Sequence, residues 1–557
     1  MDSRSAAHVL SQIAAYLELA GENPYKIRAY RTAARSVLAL ASDDLQEVLS
    51  SGGLEGVRGL GPATIAVIRD LVQTGQSRYL EELRQATPEG LLDLVAVPGL
   101  GVEKIRALHA QLGITSLAAL ELAARDGRLA KMKGMGPKTA DKILKSIAFM
   151  RSTGSLMLYP QAAAQANAFL ESVRGHSGVV RADVAGSIRR RREVVGDVDI
   201  VAACSDNPEA VARSFGEGSD IQPAPGGDVT VSVRHADGTK LDLYCVRPSD
   251  FVPALWRATG NADHVELVRT RLSSNHFASE EALYTAAGLP WIAPELREGR
   301  GEVEAAVAGT LPQLVEARDL RGVLHCHSLY SDGKASIAEM AEGARAKGWS
   351  YIGISDHSEA AFYASGVSRE NMLEQHAEID ALNAKYGDFR ILKGVEADIL
   401  ADGRLDYDAD LLDRFDYVIA SIHSRFMMDS AAMTERILRA MDDPHMTILA
   451  HPTGRKLLSR DAYAIDVEAV LTKAAAVGVA IEINADPHRL DLDWRYLHRA
   501  KQLGVTMEIG PDAHSRGALD WTDLGVAMAR KGWLERSDIL NARSADEIVA
   551  FAKRRFR

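Results

Sequence analysis

The part of the chain from residue 321 onward is the most constrained. Seven short apolar runs alternate there with helical stretches: GVLHCHS, YIGISDHS, RILKGVEADI, YVIASIHS, TILAHPT, AIEINAD and TMEIGPDAHS. Such alternation calls for parallel strands joined by crossover helices, and this many units predicts a barrel. The runs carry His, Asp or Glu at or near their carboxyl ends. In barrels that is where chemistry sits.

Ten of the 16 histidines lie between residues 325 and 514. His325 and His327 are two apart and share one face of a strand. Asp332 follows in an SDG turn, while His357, Glu396, His423 and His451 stand near the ends of four further runs. Asp512 and His514 repeat the two-residue spacing. Together these are nine nitrogen and oxygen ligands on one rim, too many for a single tetrahedral zinc. They suit two or three ions such as Mn²⁺, Zn²⁺ or Fe²⁺, bridged by a carboxylate. A lone histidine is more often a satisfied core or surface group, and His376, His445, His488 and His498 are read that way. Cys326, between two ligands, faces the other side of its strand and is read as packing.

A length of 557 residues fits about three to five domains. No apolar run approaches the roughly 18–20 residues of a membrane span. The opening MDSRSAAHVL has no signal-peptide pattern, and the three Cys form no CxxC pair. These features predict a cytoplasmic protein without membrane association, with monomer as the default state. The net charge of −11 excludes a uniformly basic nucleic-acid coat but not a local basic groove.

Residues 1–150 read as helical, and one pattern occurs there three times: VRGLGPATIAVI, AVPGLGVEKIRAL and KMKGMGPKTADKIL. Gly59 and Gly61, Gly99 and Gly101, and Gly134 and Gly136 each precede a helix start. Glycine permits left-handed backbone there, and N–H groups at a helix start make an anion site. The natural ligand is a phosphodiester backbone, bound without base specificity. Lys131, Lys133, Lys138, Lys142 and Lys145 flank the third copy. These segments resemble helix-hairpin-helix DNA-binding motifs.

Strands dominate residues 155–250, with a hairpin predicted to turn at Asp237-Gly238. In AGSIRRRREVVGDVDI, Asp197 and Asp199 project from one strand face. Asp242, in KLDLY, lies on a strand that can pair alongside. Three carboxylates on neighbouring strands suit Mg²⁺ or Mn²⁺, and two such ions serve phosphoryl transfer. Gly186 and Ser187 would present an N–H and a hydroxyl to a polyphosphate, with Arg189 to Arg192 adding positive charge.

On these residues, together with NPYKIRAYRTAA, the glycine hairpins and TGNADHVELVR, the front of the chain resembles a family X DNA polymerase. The pieces HCHSLYSDG, SDHS, GVEADIL, ASIHSRF, AHPTGR and PDAHS resemble the polymerase-and-histidinol-phosphatase (PHP) domain, a metal-dependent phosphoesterase. The resemblance implies a multidomain fold. An all-α helix-hairpin-helix part comes first, as a DNA-binding domain over 1–80 and a fingers-like domain over 81–150. An α+β nucleotidyltransferase palm (151–250) and thumb (251–318) follow. A distorted (β/α)7 PHP barrel covers 319–557. It implies that Asp197, Asp199 and Asp242 hold two metals, and that Ser187 and Arg190 contact an incoming dNTP with Gly196 beside it. Arg269 matches a template-side contact. All nine rim ligands match an active PHP member with three metals. The expected activity is gap-filling synthesis on primed DNA with 3′-5′ exonuclease action, and abasic-site nicking stays open. Two other readings compete: a nuclease on an inert polymerase scaffold, and a phosphatase for a small monoester.

Three positions depart from the family pattern. Arg257-Ala258 replace the aromatic pair before Thr259-Gly260, which implies weaker exclusion of ribonucleotides. Val265 replaces an Asn that touches the incoming base. Val67 replaces the lysine of the family's 5′-deoxyribose phosphate lyase, so Schiff-base chemistry is not expected there.

Overall fold

The computed structural model describes residues 3–38, 45–88, 90–97, 100–132, 134–153, 156–205, 207–216, 221–223, 229–234 and 239–556. They form two compact units, Met1–Gly154 and Ser155–Arg557. Gly99, Lys133 and the turn expected at Asp237-Gly238 lie outside the described residues. Among the described residues, no single helix is long and apolar enough to cross a membrane.

The first unit is helical: α1 (Ser3–Ala20), α2 (Pro24–Leu38), α3 (Leu45–Ser50), α4 (Pro62–Thr74), α5 (Arg78–Ala86), α6 (Val102–Leu112), α7 (Leu117–Arg125) and α8 (Pro137–Thr153). In α1 the buried residues Ala6, Leu10, Ile13 and Leu17 recur every three or four positions, the spacing of one helix face. That face packs on Tyr30, Val37, Ile68 and Leu71. A second core gathers Leu94, Ile105, Leu108, Leu120 and Ile143, and Leu19 at the end of α1 joins it. α1 thus serves both cores.

The second unit opens with β1 (Met157–Leu158), β2 (Val179–Val184), β3 (Val194–Val195), β4 (Val198–Cys204), β5 (Ile221–Pro223), β6 (Val229–Arg234) and β7 (Lys240–Val246). Five of these form a sheet ordered β2-β4-β7-β6-β5, in which β4 and β7 run parallel. β4 is buried on both faces. Ile200, Ala202 and Cys204 join a core with Ala162 and Val211, while Val201 and Ala203 pack against Phe251 and Leu255. Helices Phe251–Thr259, Ala262–Arg269, Glu280–Ala286 and Glu302–Ala308 follow and pack Trp256, Val268, Leu283 and Val303 together.

The remaining strands are β8 (Gly322–Val323), β9 (Tyr351–Ile354), β10 (Arg390–Lys393), β11 (Glu396–Asp398), β12 (Val418–Ser421), β13 (Met446–Leu449), β14 (Ala480–Asn484) and β15 (Met507–Gly510). They form two parallel sheets, β10-β9-β8 and β11-β12-β13-β14-β15. Single-residue bridges at His357–Glu396 and Cys326–Ala513 link them. Seven sequence runs yield eight strands because RILKGVEADI splits at Gly394. The Tyr417 ring lies where Gly394 and Gly353 would carry side chains, at 2.2 and 2.1 Å from the two absent Cβ positions. Its hydroxyl donates to the Leu324 carbonyl.

The segment between the five-stranded sheet and β8 is packed rather than loose. Val315 N–H donates to the Leu534 carbonyl and Arg321 N–H to that of Asn541. Arg297 is fully buried and donates through both terminal nitrogens to Glu280, at 2.8 and 2.9 Å. Arg189 holds the same carboxylate at 2.7 and 2.9 Å. Burial alone would raise the Glu280 carboxyl, but the two guanidinia bring it down to about 2. Glu280→Gln leaves Arg297 buried without its counter-charge, a loss of about 3–5 kcal/mol. All six tryptophans lie beyond residue 250, so urea denaturation followed by their fluorescence reads this unit alone. The Glu280 contribution is fully present above its ordinary value of 4.5 and is lost as pH falls towards about 2. The gap between wild type and variant should narrow over that window.

Candidate active sites

The three glycine hairpins share one backbone hydrogen bond. The middle residue N–H donates to a carbonyl three residues earlier: Leu60 to Val57, Leu100 to Val97 and Met135 to Met132. Gly59 and Gly134 have φ of +96° and +84°, the left-handed region. Gly61, Gly101 and Gly136 stand at the starts of α4, α6 and α8, and a Cβ at any of them would meet nothing. Nothing within the fold demands glycine at these three positions. Lys131, Lys138, Lys142 and Lys145 are exposed around the third hairpin. Val67, on α4, lines a cleft of about 630 Å³ with Lys26, Tyr30 and Tyr79. The Lys26 amine sits 5.5 Å from the Tyr79 ring centre.

In the second unit, the register of β4 and β7 sets Asp199 directly beside Asp242. Asp197 lies one residue before β4 rather than within it. Burial first, and then Asp197 and Asp242, push the Asp199 carboxyl up to about 7. Burial and Asp242 also raise Asp197. The mutual repulsion of the three carboxylates is what a divalent cation would relieve. Tyr244 donates to Asp199 at 3.1 Å, and Lys240 contacts Asp242 at 2.6 Å. Gly186 has φ +60°, and a Cβ there would fall 1.8 Å from Asp199 Oδ2, so only glycine lets the turn cross this carboxylate. The adjacent Ser187 hydroxyl is buried without a hydrogen-bond partner, an arrangement that an incoming acceptor would complete. Gly196 is half-buried beside Leu156.

The arginine run is placed differently from the sequence expectation of free positive charge. Arg189 is held by Glu280, Arg191 donates to the Tyr159 hydroxyl, and Arg192 pairs with Glu298. Arg190 donates to Glu298 at 3.1 Å and to the Thr259 carbonyl at 2.6 Å. Lys531, itself fully enclosed, donates to Glu298 at 2.6 Å and to the Arg190 carbonyl at 2.9 Å. These acids lie about a hundred or more residues away in sequence, which is why the run reads as free charge. Arg269 is exposed and pairs with Glu266 at 2.7 Å. Arg257 is exposed, and Val265 packs with Trp256 and Tyr284.

The ends of β8 to β15 bring the nine predicted rim residues together. Three groups have ligand atoms close enough to share an ion: His327, Asp332, His357 and His514; His325, His327 and Asp512; His357, Glu396 and His423. His451 stands outside these groups and contacts Glu396 through Nε2 at 2.9 Å. Six buried atoms lack a hydrogen bond: His325 Nε2, both nitrogens of His327, His357 Nδ1, Glu396 Oε2 and His451 Nδ1. Buried polar atoms are rarely left so, and overlapping carboxylate–imidazole sets of this kind are compatible with divalent cations. Burial brings His327 down to about 4 and His451 to about 3, so both are neutral donors at pH 7. At His423, burial is outweighed by Glu396 and Asp398, which hold the imidazole at about 9. Cys326 is enclosed with Val323 and Ile352 on the apolar side. His488 is exposed beside Asp486, and His498 stacks on Trp533.

Over its full length the chain aligns with "DNA polymerase/3′-5′ exonuclease PolX" of Bacillus subtilis (strain 168), with 38% identity over 576 residues covering 100% of both chains. The chain belongs to the PolX family. Within it, the Helix-hairpin-helix domain family matches residues 1–77, the SAM-like Helix-hairpin-helix tandem 89–148 and the PHP domain 324–485. Shorter relatives match about a third of this PolX-family chain. One is a probable phosphatase of Thermoanaerobacter sp. (strain X514), 32% identical over 34% of this chain and 77% of the relative. Another is a probable phosphatase of Shewanella sp. (strain ANA-3), 31% identical over 30% of this chain and 66% of the relative.

Sequence reasoning missed the residues that orient the rim. Glu482 accepts from His325 Nδ1 at 2.5 Å and from the His451 N–H at 2.6 Å. Asp398 meets His423 Nδ1 at 2.7 Å. A carboxylate on one ring nitrogen fixes the tautomer and leaves the other for a metal. The available signal was a glutamate inside the otherwise apolar AIEIN of β14, where no surface role is open to it. Glu482→Gln should weaken metal binding by about 10–100-fold. Mn²⁺ titration in an Asp199→Ala background, followed by the resonance of free Mn²⁺, reads this cluster alone.

Proposed function

We propose that the chain is a gap-filling, template-directed DNA polymerase of DNA repair that also carries a metal-dependent 3′-5′ exonuclease in its PHP domain. The observation that supports this best is the pair of separate acidic clusters, Asp197–Asp199–Asp242 and the histidine rim, in a chain that aligns end to end with a polymerase/exonuclease. In this reading residues 1–80 bind DNA, 81–150 act as fingers, 151–250 as palm, 251–318 as thumb, and 319–557 form a distorted (β/α)7 barrel. The protein works as a cytoplasmic monomer on gapped or primed DNA, held through phosphates.

Asp197, Asp199 and Asp242 would hold Mg²⁺ or Mn²⁺. His325, His327, Asp332, His357, Glu396, His423, His451, Asp512 and His514 would hold two or three divalent ions. Bound divalent ions supply Lewis acidity to phosphoryl oxygens at both sites. The protein's own groups do the rest. Ser187 offers its unpartnered hydroxyl to the triphosphate. The Gly186 turn keeps the nucleotide end close to Asp199. Lys240 donates to Asp242 Oδ2 at 2.6 Å and would orient that carboxylate towards a cation. At the rim, Glu482 and Asp398 hold two imidazoles in fixed tautomers, and Arg489, 3.6 Å from Asp512, offers a guanidinium to a scissile phosphate. The hairpins hold the DNA by its backbone.

One observation favours a second reading, a nuclease with a weak palm. Arg190 is engaged by Glu298 and Thr259 and must exchange those partners to reach a triphosphate. A single gel separates the two. End-labelled primer on a gapped template is incubated in Mn²⁺ with and without dNTPs. Asp199→Ala should lose extension and keep shortening, and His325→Ala the reverse. Each loss should exceed the roughly 10–100-fold of an outer partner. Shortening by wild type without any extension would establish the second reading.

A further inference from the structure

The mouth of the histidine rim carries large apolar side chains that the metal chemistry does not need. Phe362 is 87% exposed and Tyr363 67%, in a short turn after β9. Leu329, two residues after His327, is 63% exposed, and Met427, four after His423, is 91% exposed. The Tyr363 ring centre lies 6.1 Å from that of His357 and 5.6 Å from that of His423, so the aromatic turn stands directly at the ligands. Large apolar side chains left in water on the segments that carry the ligands mark a surface that something covers.

The loops after β13 and β14 differ in character. Arg489 lies 3.6 Å from Asp512, and Lys456 is exposed nearby. The Leu457 N–H donates to the His488 carbonyl, which sets Lys456 and Arg489 on adjoining loops. The mouth thus joins an aromatic flank, against His357 and His423, to a cationic flank, against Asp512. A small phosphomonoester would use only the second. A nucleotide at the end of a strand has both parts, a flat base and a phosphodiester, and aromatic rings accept any base by stacking.

We propose that Phe362 and Tyr363 form a stacking platform for the unpaired 3′-terminal base of a DNA strand whose scissile phosphate faces Arg489 and Lys456. This rests on the exonuclease reading above.

The test uses the full chain in Mn²⁺ and two single-stranded oligonucleotides. One ends in thymidine and the other in a base-less tetrahydrofuran residue with the same phosphodiester. Wild type should remove the thymidine about 5–100-fold faster, the ratio that one stacked base provides. In Phe362→Ala/Tyr363→Ala the ratio should fall towards one, and Phe362→Trp should preserve it. Both side chains are exposed, so the substitutions do not disturb the core. A wild-type ratio near one, or a ratio that survives the double alanine variant, overturns the platform while leaving the exonuclease in place. If wild type shortens neither oligonucleotide but hydrolyses p-nitrophenyl phosphate, the exonuclease reading falls and the platform with it.

Discussion

The Glu396 carboxylate is the hub of the molecule's second half. It is almost completely enclosed, and five imidazoles surround it: His357 and His451 at 2.9 Å, His423 at 3.3 Å, His325 at 3.4 Å and His327 at 3.7 Å. A charge removed from water to this degree is tolerated only with partners on all sides. Burial would raise the Glu396 carboxyl, yet His357, His423 and His325 hold it well below the ordinary range. Parallel strands make this possible, because each delivers its last side chains to the same rim. The cost is a centre with little apolar packing of its own. Glu482 and Asp398 supply the order that packing would otherwise give.

A second ionic network does comparable work elsewhere. Glu298 joins Arg190 and Arg192, which follow Gly186-Ser187, to Lys531 near the end of the chain. Glu193 reaches the Trp494 indole and Arg495 in the same manner. The five-stranded sheet and the parallel sheets are therefore stitched by charge as well as by apolar contact. This agrees with their behaviour as one compact unit.

The sequence shows this fold unevenly. Groups repeated at fixed spacing were legible: the glycine hairpins because one sequence pattern occurs three times, with the same hydrogen bond in each, and the histidine rim because imidazoles and carboxylates recur at the ends of successive apolar runs, although His325 and His327 lie just past β8 and not within it. Asp242 was legible as lying on a strand able to pair with that of Asp199, and the register sets the two side by side. Groups whose meaning depends on a distant partner were not legible. Arg190 reads as open positive charge until Glu298 is placed beside it. Glu482 reads as an oddity in an apolar strand until His325 meets it. The division of RILKGVEADI into two strands depends on a tyrosine ring from β12's approach, which no local pattern announces.

The Lys531–Glu298 contact also bears on how the two chemistries can be separated by cutting the chain. A fragment ending before residue 321 would keep Glu298 but lose the ammonium that shares it, together with Trp494 and Arg495, which cover Glu193. Two enclosed carboxylates would then be left short of positive charge beside the Gly186-Ser187 turn. Poor synthesis by such a fragment would report local collapse of an acid–base lattice and carry no information about whether polymerisation depends on excision. Point changes within the carboxylate cluster or the histidine rim, which leave the lattice whole, are the cleaner way to take the enzyme apart.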